Sequence, residues 1–157
     1  MPSLMIDKLR LEFPKLSSHL ANNADIEEIL PPASKEDITN LEQQLGITLP
    51  VSYKKFLRVT RGFWLNRGIF QMNSTHPFFH DWSGSRLQKW PPTQGMICFA
   101  EYFLEADGDQ ILFDVKQGLI DEEYPVYYYA HDDPYNLKRI ADSFQVFIEN
   151  VLIKQSS

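Results

Sequence analysis

One cysteine, Cys98, stands in the 157 residues, so no disulfide can close within the chain. A fold without disulfides suits a reducing compartment. Long apolar runs are also missing: nowhere do about 20 apolar residues follow one another, the length that a membrane-crossing helix needs. The opening Met1–Arg10 is broken by Asp7, Lys8 and Arg10, too short and too charged for a secretory signal. A cytoplasmic protein without a membrane partner is the expectation. Positive charge is in deficit, 15 Lys and Arg against 21 Asp and Glu, for a net charge of −6. Binding nucleic acid draws on Lys and Arg set against phosphates, so no nucleic-acid partner is expected. Repeats, low-complexity tracts and flexible linkers are absent, which leaves one domain over residues 1–157. No Gly-rich phosphate loop, nucleophile elbow or paired catalytic signature occurs, so neither an enzyme nor a cofactor is called for.

What the chain does have is core material. Hydrophobic residues make up 43% and aromatic residues 13%, enough to fill the interior of a domain of this size without staples. Charge is unevenly spread. From Lys54 to Lys89 seven basic residues face one acid, Asp81. From Glu101 to Asp133 ten acids face one base, Lys116. Such an acidic segment can steer a basic partner, the alternative being a solvated face that aids solubility.

The first 30 residues read as a helical extension, with Leu4, Ile6, Leu9 and Phe13 in loose helical spacing and Pro14 restarting the element. Pro31-Pro32 marks a boundary. Ser34 with Asp37 three residues on resembles a capping box, Ile38, Leu41 and Leu45 share a helix face, and Gly46 supplies a left-handed stop. Pro50 opens a second helix with Tyr53, Phe56, Leu57 and Thr60 on its buried stripe and Gly62 at its end. The linker Ile47-Thr-Leu49 makes these two helices packed neighbours. Residues 63 to 94 are irregular and aromatic, with a strand near Gly68–Asn73. Strands follow at Met96–Phe99 or a little beyond, Gln110–Val115 and Val126–Ala130; Asp107-Gly108-Asp109 turns between the first two of these. Phe144, Phe147, Ile148 and Val151 close the chain as a helix capped by Asp142 or Ser143, with a longer helix from Leu137 as an alternative. Helices, then strands without helical crossovers, then a helix: the class is α+β with a mostly antiparallel sheet.

The stretch from Pro32 through Leu57 resembles the opening of the SUKH superfamily. The pattern there is an Ile/Leu-x-x-Leu/Phe-Glu helix, a Leu-Pro step and an aromatic-x-x-Phe-Leu helix ending near Gly. Ile38, Leu41, Glu42, Leu49, Pro50, Tyr53, Phe56, Leu57 and Gly62 occupy those positions. Asp107–Asp114, Pro125-Val-Tyr127 and Asp142–Ile148 are similar to later pieces, so the resemblance covers about residues 32 to 150. Arg61-Gly62 replaces the usual Asn-Gly, and the aromatic stretch 63–94 has no matching piece. The resemblance implies a non-catalytic protein-binding module. It is either an immunity-type protein that neutralises a cognate toxin or a regulator of the fungal cell-wall-assembly kind.

Three constellations invite chemistry. His76, His80 and Asp81, joined by His131-Asp132-Asp133, would serve a metal-dependent enzyme, but Pro77 interrupts a helix through the histidine pair and no zinc set is completed, so no metal is expected. Asp107, Asp109 and Asp114 imitate a calcium loop without its Glu at the twelfth place, and read as solvated acids at a turn. Cys98 lies between Ile97 and Phe99, the setting of an inert packed thiol. For partner contacts the aromatic and charge arguments favour Trp64, Trp82 and Trp90, interleaved with Arg61, Arg67 and Arg86, and the acids Asp121, Glu122 and Glu123. A basic toxin is the partner that would suit the acidic segment.

Overall fold

The computed structural model describes residues 2–22, 25–65, 70–72, 95–102, 109–130 and 137–155. Helices α1 (Pro2–Leu9) and α2 (Pro14–Asn22) lead to strand β1 (Ile26–Ile29), then to α3 (Lys35–Leu45) and α4 (Val51–Leu57). Six strands follow: β2 (Phe63–Leu65), β3 (Phe70–Met72), β4 (Met96–Tyr102), β5 (Gln110–Asp114), β6 (Val126–Tyr129) and β7 (Lys138–Ala141). The closing helix comprises α5 (Phe144–Val146), a π-helical segment (Phe147–Val151) and α6 (Leu152–Gln155). Each strand pairs antiparallel with its neighbour in sequence, giving one meander in the order β1 to β7. The class is α+β, as the order of elements predicts.

Both edge strands depart from the sequence reading, and each carries a bulge. Ile26 and Ile29 are three apart, a helical spacing, yet they form an edge strand in which Ile26 pairs Leu65 and Ile29 pairs Phe63. A bulge between Ile26 and Glu28 absorbs the odd residue, so both isoleucines pack on the core. At the other edge, the stretch from Leu137 continues the helical period of the closing helix, but Lys138–Ala141 is strand β7, with Ala141 opposite Val126 and Arg139 opposite Tyr127 across another bulge. Strand β2 also falls in the stretch read as irregular. The N-terminal helices are no appendage. Leu9, Phe13 and Leu16 are fully buried in the same cluster as the sheet.

The helices cover one face of the sheet, and aromatic rings fill the space between. Tyr53 on α4 lies 5.3 Å from Phe113 and 5.0 Å from Phe144, edge to face. Phe99 and Phe113 stack at 4.1 Å across β4 and β5. Phe13, just ahead of α2, has its ring 5.8 Å from that of Phe56 on α4. Such pairs add about 0.5–1.5 kcal/mol each beyond the area they bury. On the opposite face Met96, Cys98, Leu112 and Tyr129 form a second, smaller buried cluster. Cys98 has no exposure and donates to the carbonyl of Ala100, in keeping with an inert thiol.

Gly62 does not end α4, whose last turn closes on Arg58 in right-handed geometry. It stands at the entry to β2 with φ +149°, where a Cβ would lie 2.4 Å from the Met72 carbonyl oxygen. Only glycine permits that approach. Its own carbonyl accepts from the N–H of Leu30, while Arg61 N–H donates to Pro31, so this corner ties α4 to the chain ahead of α3.

Candidate functional site

The geometry of interest begins at Leu49-Pro50, the step between α3 and α4. Ser34 caps α3 by accepting from the N–H of Asp37, whose carboxylate accepts from Ser34 N–H in return, and Gly46 closes it at φ +72°. From the inward turn of this helix Glu42 reaches forward. Its carboxylate accepts from Leu49 N–H at 2.7 Å and pairs with Lys54 on α4 at 3.4 Å. Glu42 thus holds the two helices in register, which explains in physical terms why an acid suits that place in the motif.

The opposite side of the step is held by residues 120–124. Ile120 and Glu123 bridge each other, leaving Asp121 and Glu122 as the two central residues of a tight turn, with φ of +51° and +67°. Both values are left-handed, as in the hairpin turns that prefer Asn-Gly. For an L-residue this geometry costs on the order of 1 kcal/mol. The turn gives something back. Glu122 carbonyl accepts from Val51 N–H at 3.0 Å, and the Glu123 carboxylate accepts from Ser52 N–H at 2.9 Å and Ser52 Oγ at 2.7 Å. Pro50 has no side chain able to cap a helix, and these groups supply the first turn of α4 with acceptors. Tyr124 completes the clasp, its hydroxyl donating to Thr48 carbonyl at 2.7 Å. Burial and the nearby Glu42 charge both push that phenol up.

The expected acidic triplet therefore divides. Asp121 and Glu122 are exposed at the tip, whereas Glu123 is half-buried and committed to α4. Asp109 is a correction of another kind. It is no solvated turn acid but 1% exposed, and its carboxylate accepts from the Tyr128 hydroxyl. Asp114 accepts from Lys116 N–H at 3.0 Å. Arg61 is likewise buried rather than offered to a partner, its Nε donating to the Pro31 carbonyl.

Trp64 is half-buried on the sheet face away from the helices, opposite Glu28 on β1 and Gln71 on β3. Its Nε1 is buried without a hydrogen-bond partner among the described residues. Gln110 Oε1 is in the same condition on the same face. No hydrogen bond, ion pair or ring contact among the described residues joins Trp64 to the acidic tip. Trp82, Trp90, Arg67, Arg86, His76, His80, Asp81, Asp107, His131, Asp132 and Asp133 lie outside the described residues. Among the described residues no group of three His, Cys, Asp or Glu side chains could hold a metal ion, and no helix is long and apolar enough to cross a membrane.

Sequence reasoning missed Ser52 and Tyr124 as contacts of this clasp. Their partners lie 71 and 76 residues away, and nothing local announces them. Glu42 was visible only as a motif position.

No curated protein shows a significant match to the chain. The sequence model of the SMI1 / KNR4 family (SUKH-1) matches residues 32–150, a span that contains the capping box, the Leu-Pro step and the clasp that grips it. The chain belongs to the SMI1 / KNR4 family (SUKH-1).

Proposed function

We propose that this protein is a non-catalytic binding module of the immunity type, which acts in the cytoplasm by capping a cognate toxin. Family membership supports the broad reading. The observation that carries the finer one is the tip at Asp121 and Glu122: two exposed carboxylates on a turn fastened to α4 by Glu122 carbonyl and by Glu123. Acids so placed attract a basic surface and raise the rate of encounter with it. A toxin that acts on nucleic acid must carry such a surface to meet phosphates. Trp64, with Trp82 and Trp90 from the sequence argument, supplies the aromatic part of the contact.

The test uses any candidate toxin encoded by a neighbouring gene. Asp121→Lys combined with Glu122→Lys should weaken binding by about tenfold or more and flatten its dependence on salt. Glu123 stays in place so that α4 keeps its cap, and because both positions have positive φ the stability should move by no more than about 1 kcal/mol. Unchanged affinity, with unchanged salt dependence, would remove the tip from the interface. Failure of the wild-type protein to bind or protect against any neighbouring toxin would overturn the immunity reading and favour a regulatory role.

A further inference from the structure

A second region carries ionisable groups around a cavity, and it lies away from the acidic tip. Between α2 and the closing helix is a groove of about 400 Å³, bounded by Lys15, His19, Glu149, Asn150, Ile153 and Lys154. That volume is in the range of small-molecule sites.

The walls of the groove depend on the π-helical segment. A turn closed from i to i+5 inserts one residue, and such insertions recur at functional sites. Here it leaves Phe147, Ile148 and Leu152 in the core while Glu149 is also buried, facing α2. The Glu149 carboxylate accepts from Leu16 N–H at 2.6 Å and, more weakly, from Lys15 N–H at 3.4 Å. Its carboxylate is thereby committed to the first turn of α2, where the helix dipole favours an anion. The two lysines bring positive charge to the same groove. In a protein of net charge −6 this is a local inversion of sign.

The remaining groups suit an anion of limited size. Lys15 Nζ donates to Asn150 Oδ1 at 3.2 Å, which engages one of the three N–H groups of an ammonium. His19 is 3% exposed, and burial lowers its pKa, which favours the neutral ring, so that it lines the groove without adding charge. Ile153 and the lysine stems add apolar wall.

We propose that this groove binds a small organic anion, a carboxylate or a phosphate monoester, with its charged end between Lys15 and Lys154 and its apolar body on Ile153. The proposal stands apart from the toxin reading, since it concerns another face and another class of ligand.

Three probes test it on the full chain by amide and imidazole NMR shifts: benzoate, phenyl phosphate and inorganic phosphate. One of the two aromatic probes should shift the Lys15, Asn150 and Ile153 amides and the His19 ring together, and saturably. Which one does so identifies the charged end. Lys15→Gln combined with Lys154→Gln should weaken that binding by about tenfold or more, the loss of charge-assisted contacts. Both lysines are exposed, so the variant should keep the dispersed spectrum of a folded protein. No saturable shift with any probe, or equal affinity in the double variant, overturns the proposal. Inorganic phosphate binding as tightly as phenyl phosphate overturns the apolar half of it.

Discussion

Helices α2 and α4 both open on a proline, Pro14 and Pro50, and both take a carboxylate from far along the chain to meet their first N–H groups. Helix α3 opens on its own Ser34 and needs no distant help. Glu149 reaches α2 from 133 residues away, and Glu123 reaches α4 from 71. A local cap stabilises a helix as soon as that helix forms. A distant one stabilises it only when the whole fold is in place, and so couples the two ends of the chain.

That contrast can be broken by substitution. Glu149→Ala should cost the most, about 2–3 kcal/mol in denaturant unfolding, because it strips a buried charge-assisted bond and leaves Leu16 N–H without its acceptor. Glu149→Gln should recover part of the loss by keeping an oxygen in place. Glu123→Ala comes next at about 1.5–2 kcal/mol, since the carboxylate is half-buried and its loss takes the acceptors from Ser52 N–H and Oγ. Ser34→Ala should cost about 1 kcal/mol, the usual worth of a local cap. Equal losses at Ser34 and Glu149 would erase the distinction. The smallest effect sharpens it through pH. Burial lowers the His19 pKa, so around its ordinary value of 6.5 the unfolded chain binds a proton that the folded imidazole resists. Stability should therefore fall as pH drops through that value. His19→Gln should flatten the acid-side loss between about pH 7.5 and 5.5, as measured by paired denaturant titrations.

The same division between local and distant sets what could be read from the sequence. The α3 box, the Gly46 stop and the Tyr53, Phe56, Leu57 stripe are fixed within a few residues, and each is found in the structure where the pattern predicts it. Strands β4, β5 and β6 carry enough β-branched and aromatic residues to announce themselves. Strand β1 hides because its bulge sets Ile26 and Ile29, three apart, on one face, which imitates a helix. Strand β7 hides because its bulge sets the adjacent Ile140 and Ala141 on the core while Leu137 packs on the other face, which breaks the two-residue alternation. At the candidate site, the exposure of Asp121 and Glu122 follows from a run of acids. The commitment of Glu123 does not, because nothing in the run tells the third carboxylate apart from the first two. Its partner is a hydroxyl and an amide in another part of the chain.

The left-handed pair at the tip has a consequence for whatever meets it. A turn fastened through the Glu122 carbonyl to Val51 and through the flanking Glu123 carboxylate to Ser52 has little backbone freedom left to surrender. A molecule docking there would meet a backbone already ordered, so on this side of the contact only the rotamers of two exposed side chains would have to be fixed.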